Sequence, residues 1–127
     1  MDWLPAPDIK TRIKTIVPKI DFHHVQTERL FCFRSYGSVG RATARIWNLP
    51  RLWQQALNVQ PAYCVEVISE RFDKLSIKDQ DKVLIHELLH IPKNFSGAIV
   101  THRNSHHRTF RHYHDEVDRI YSQFIKN

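Results

Sequence analysis

The spacing of apolar positions changes several times along the chain, and each change marks an element. Ile9, Ile13, Ile16 and Val17 recur at helical intervals. With Asp8 near the start and Pro18 at the stop, they predict a short helix over 7–17. Residues 28–35 are rich in strand formers, with Leu30 and Cys32 alternating with Phe31 and Phe33. Turn chemistry over 36–40 lets residues 42–48 return as a second strand, so a hairpin is expected. Pro50 suits a helix start and introduces a short helix over 51–57. Residues 62–69 read as a further strand, followed by a connector over 71–74. Ser76, with Asp79 three residues on, approximates a capping box. It opens a helix over 77–91 with Ile77, Val83, Leu84, Leu88 and Ile91 as its apolar positions, ended by Pro92. Residues 92–104 form a loop. Asn104 or Ser105 caps a last helix, whose apolar face carries Phe110, Tyr113, Val117, Ile120, Tyr121 and Phe124. The expected class is α+β: a small, mostly antiparallel sheet packed on the 77–91 helix, with a C-terminal helix closing the site.

Length and composition narrow this picture. The 127 residues suit one domain, 1–127, able to bury about two-thirds of its unfolded surface. No apolar run approaches the roughly 18 residues of a membrane span, and no signal peptide is evident after Met1. A cytoplasmic protein without a membrane partner is therefore expected. Cys32 and Cys64 make no disulfide framework and read as buried thiols. The formal net charge is +6. Residues 1–60 carry nine Lys/Arg against four Asp/Glu, whereas residues 61–127 carry ten against nine. Of nine histidines, seven fall between His86 and His114. The basic half and the histidine half are different halves.

The histidines include His86-Glu87-Leu88-Leu89-His90, a His-Glu-x-x-His motif. On a helix, residues i and i+4 share a face, so both imidazoles can bind one tetrahedral Zn²⁺. Glu87 lies one residue further round, where its carboxylate can act as general base toward a zinc-activated water. A catalytic site needs a third protein ligand. His102 follows a loop long enough to turn the chain back, and His106 starts the last helix. Glu116, or Asp115, could serve from that helix, while His114 is expected on its inward side.

The stretch from Val83 to Pro92, followed by Phe95-Ser96-Gly97, resembles a family of small prokaryotic and phage metallopeptidases. Tyr63 to Glu70, Phe72 to Leu75, Ala44 to Trp47 and Leu52-Trp53 share the likeness, which covers roughly residues 25–125. It implies a minimal zincin-like domain and Zn-dependent hydrolysis of a peptide or protein substrate. In that family a His follows the Ser-Gly segment, which nominates His102 as third ligand. A weaker likeness, of His106-x-x-x-Phe110 to SprT-like proteases, makes His106 the runner-up.

A second reading comes from the basic half. Arg34, Arg41, Arg45 and Arg51 surround Tyr36, Trp47 and Trp53, a mixture that can bind single-stranded nucleic acid. The blander expectation places those tryptophans in the core. The alternative function is thus a Zn-stabilised nucleic-acid-binding or adaptor module with a vestigial or latent protease site. The 62–69 strand is the candidate neighbour of the motif helix, where an edge strand can bind extended peptide.

Overall fold

The computed structural model describes residues 2–101 and 110–127, with side chains in the last helix from His114 onward. Its elements are β1 (Asp2–Pro5), α1 (Pro7–Lys19), β2 (Leu30–Tyr36), β3 (Ala44–Asn48), α2 (Arg51–Leu57), β4 (Tyr63–Ile68), α3 (Ser69–Phe72), α4 (Ile77–Leu88) and α5 (Phe110–Lys126). The strands form one sheet in the order β1-β2-β4-β3. β1 runs antiparallel to β2, and β3 antiparallel to β4, while β2 and β4 are parallel. The class is α+β with a mostly antiparallel sheet, as the sequence pattern predicts.

The expected hairpin does not form, because β4 lies between β2 and β3. Five of the six residues of β4 are buried. A strand buried along nearly its whole length belongs in the sheet interior. Val65 and Val67 meet the helices, and β3, half exposed along its length, is left at the edge. The 62–69 strand is therefore not the edge strand. β1 carries no periodic signal of its own and exists through its pairing of Trp3 with Ser35 and Pro5 with Phe33.

The core lies on one face of the sheet. Leu30, Cys32, Tyr63, Val65 and Val67 contribute from the strands. Ile9, Ile13, Ile16 and Val17 come from α1, Leu84, Ile85 and Leu88 from α4, and Val117 and Ile120 from α5. α1 continues through Pro18 to Lys19 rather than stopping there. A proline in the last turn forfeits one N–H bond and keeps a helical φ. Residues 69–72, expected as strand end and connector, form a single helical turn that buries Phe72. Among the described residues no helix is long and apolar enough to cross a membrane.

Candidate active site

The start of α4 is held from three sides. Ser76 Oγ accepts from the Asp79 N–H at 3.1 Å. Gln80 Nε2 donates to the carbonyls of Phe72 at 3.1 Å and Leu75 at 3.3 Å. Arg12 of α1 donates to Gln80 Oε1 at 2.6 Å and pairs with Asp81. With Leu84, Ile85 and Leu88 buried in the core, the adjoining face of α4 turns His86 and Glu87 into a cleft of about 490 Å³. Thr43 and Ala44 at the head of β3 line it, as do His114 and Val117 of α5. A Lys82–Asp118 ion pair at 2.8 Å ties the two helices together.

α4 ends at Leu88 rather than at the expected Ile91. Pro92 disfavours a helical Ile91, and the last turn tightens. The His90 N–H bonds Glu87 O and the Ile91 N–H bonds Leu88 O, both at 3.1 Å. His90 thus sits in a turn just beyond the helix, yet its ring centroid stays 5.2 Å from that of His86. His90 Nδ1 lies 2.6 Å from the Val100 carbonyl oxygen. A carbonyl only accepts, so Nδ1 carries the proton and Nε2 presents the ring's electron pair. This is the orientation that a metal-ligating histidine takes from an outer-shell acceptor.

The loop that delivers Val100 is itself anchored. The Gly97 N–H donates to Tyr63 Oη at 2.8 Å, and Tyr63 Oη donates to the Ala98 carbonyl at 2.7 Å. Asn48 Nδ2 donates to Gly97 O at 2.8 Å and Gln54 Nε2 to Ser96 O at 2.9 Å. Gly97 has φ +94°, and a Cβ there would meet Gln54 Nε2 at 2.1 Å and Leu49 O at 2.4 Å. Phe95 is buried edge-on against Tyr63, with centroids 4.9 Å apart. The Phe-Ser-Gly segment therefore acts structurally, docking the loop on β3, β4 and α2.

Glu87 is 7% exposed. Burial pushes its carboxyl up to about 7, into the range where one group can both take and return a proton. The two imidazoles are nitrogen donors of the kind that borderline divalent cations take.

The other nominated residues are placed differently. His102 and His106 lie outside the described residues. Glu116 sits in a separate cavity with Leu89, Val100 and Ile120, and its Oε1 is 3.4 Å from Arg119 Nη2. Asp115 is exposed. His114 is exposed rather than inward, and its ring centroid is 6.2 Å from that of His86. Among the described residues no group of three His, Cys, Asp or Glu side chains is placed to hold a metal ion. Cys32 and Cys64 are free thiols whose pKa values burial raises, that of Cys32 to about 11. Neither lines the cleft. Sequence reasoning missed the head of β3 as a wall of the cleft, because that position depends on the strand order.

The fold thus brings two imidazoles and a buried carboxyl together at the C-terminal end of α4. The family model described as Putative phage metallopeptidase matches residues 1–125, and the chain belongs to that family. It is thus a member of a peptidase family whose name implies a metal cofactor. Comparison with curated proteins and with solved structures returns no match.

Proposed function

We propose that the chain is a zinc-dependent peptidase in which His86, His90 and His102 hold the metal and Glu87 is the general base. The observation that carries this is the buried Glu87 carboxyl beside an imidazole pair, one ring of which is fixed in its Nδ1–H form by Val100. Zinc, when bound, supplies Lewis acidity toward the scissile carbonyl and the attacking water. Glu87 takes a proton from that water on its carboxylate and returns it to the leaving amine nitrogen. Its burial favours the neutral acid, which is the form needed for the second transfer. The substrate is an extended peptide. β3 has one free edge and its head lines the cleft, so a peptide added antiparallel or parallel to it would run past Glu87.

The test is Glu87→Gln, assayed for bound zinc and for cleavage of an unfolded protein such as casein. The variant should keep its metal and lose at least about a hundredfold in rate, the scale of general acid–base catalysis. Cleavage at the parent rate would overturn the assignment.

A further inference from the structure

The sheet has a second face that, among the described residues, no helix covers. Strand alternation and register place Trp3, Phe31, Phe33, Cys64, Glu66, Arg45 and Trp47 on it. Contrary to the core expectation, Trp47 is 50% exposed, as is Trp3, and Trp53 of α2 is also exposed. Trp3, Phe33, Trp47 and Cys64 border an open apolar cavity of about 470 Å³ floored by Glu66. Among the described residues, Glu66 is the one carboxylate of this face, and it is 1% exposed. It accepts from Trp47 Nε1 at 2.8 Å, and Arg45 Nη1 lies 3.5 Å from its other oxygen. The carboxylate therefore fixes the indole and is neutralised from within, so the face shows no exposed anion.

The chain that builds this surface is biased in charge. Residues 29–65 contain five arginines and no Lys, Asp or Glu. Three of the arginines follow the edge strand: Arg45 lies within β3, and Arg41 and Arg51 flank it. Arg41 and Arg51 are exposed and make no ion pair among the described residues. A second copy seated here would set one arginine-lined surface against another, which like-charge repulsion opposes. A polyanion with flat apolar groups meets both features at once.

We propose that the uncovered sheet face binds single-stranded nucleic acid, with bases stacked on Trp3 and Trp47 and phosphates on Arg41, Arg45 and Arg51. Stacking needs exposed base faces, which a duplex does not offer. Among its described residues the face offers only Arg45 and the indole N–H of Trp3 as hydrogen-bonding groups toward base edges, too few to read a sequence, so the binding tolerates sequence. This site lies on the opposite side of the sheet from the α4 cleft and does not depend on the peptidase reading.

Fluorescein-labelled oligothymidylate of about 20 nucleotides, titrated with the full chain and followed by anisotropy, tests the proposal. Saturable binding is expected at low salt, with a slope of log K against log salt near about −2 for three phosphate contacts. The Arg41→Gln/Arg51→Gln pair should make that slope shallower by about 1.4. Trp47→Ala should weaken binding about tenfold. Trp3→Ala, on the outer strand of the sheet, should act in the same direction if Trp47→Ala perturbs folding. Duplex DNA of the same length should bind at least about tenfold more weakly. The proposal is overturned if the oligonucleotide does not bind at the lowest salt, if duplex binds equally well, or if both tryptophan variants bind like the parent. Self-association lost in Trp3→Ala, without oligonucleotide binding, would instead identify the face as a contact between copies and overturn it too.

Discussion

His90 and Val100 hold each other twice: the His90 ring donates from Nδ1 to the Val100 carbonyl at 2.6 Å, and the Val100 N–H donates to the His90 carbonyl at 2.8 Å. The pairing closes the loop between them and fixes an imidazole that α4 no longer supports, since the helix ends two residues earlier. The imidazole of His90, just outside its helix, is thereby set by backbone atoms of the following loop.

Substitution of Val100 by proline should therefore act on the metal rather than on the core. Val100→Pro removes the N–H half of the pair and shifts the carbonyl that holds the ring. Loss of an outer-shell partner costs about tenfold to a hundredfold in metal affinity. Zinc affinity measured by chelator competition should fall on that scale, with the far-ultraviolet dichroism unchanged. Undiminished affinity would show that the Val100 pairing does not orient a ligand.

The loop's own anchor gives a prediction about stability. Tyr63→Phe deletes the hydroxyl that bridges the Gly97 N–H and the Ala98 carbonyl. Leaving a buried N–H unpaired costs about 1–3 kcal/mol. Gly97→Ala should cost at least as much, because its Cβ would collide with Leu49 O and the φ of +94° is strained for alanine. Urea midpoints should fall for both variants. A smaller loss for Gly97→Ala than for Tyr63→Phe would contradict the close packing of this segment.

Much of this arrangement was legible in the residues. Helix 51–57 has the expected bounds and starts just after Pro50, as proline at a helix start suggests, and Ser76 caps α4 as its spacing to Asp79 predicts. These are local signals, decided within one turn of chain. The hairpin failed because turn chemistry describes only what lies next in sequence. The competing signal, the nearly unbroken apolar run of β4, was present and marks an interior strand. β1 could not be found alone, since four exposed residues gain their place only from β2. Trp47 was misjudged for a related reason: its exposure follows from which sheet face the helices cover, not from its hydrophobicity. Spacing nominates His86, Glu87 and His90, whereas the nearness of His114 to His86 depends on how α5 packs on α4.

The family likeness favours His102 over His106 as third ligand, and metal content separates them. Purified His102→Ala should lose most of its zinc, as should His90→Ala, while His106→Ala retains it. Zinc retained in His102→Ala and lost in His106→Ala would reverse the assignment. Glu116→Ala should leave zinc unchanged, because its carboxylate lies in the cavity on the Val100 side with Arg119 and not in the cleft with His86 and Glu87.

The buried Glu87 carboxyl makes the metal-free protein sensitive to pH in a definite direction. In the folded chain its pKa is raised to about 7 by burial, whereas an unfolded glutamate titrates near about 4.3. Between those values the folded state holds a proton that the unfolded state has released, so stability falls as pH rises. The loss begins above about 4.3, is complete once pH passes about 7, and amounts to at most about 4 kcal/mol. Glu87→Gln has no proton to lose and should remove this component. In excess chelator, the variant should match the parent near pH 4 and be more stable by about 3–4 kcal/mol at pH 8. The difference between the two denaturation curves isolates Glu87 from the histidines, which both proteins share. Zinc should shrink the gap at pH 8, because a neighbouring cation favours the carboxylate. Parallel curves for parent and variant from pH 4 to 8 would show that Glu87 is not held in a setting that disfavours its charge.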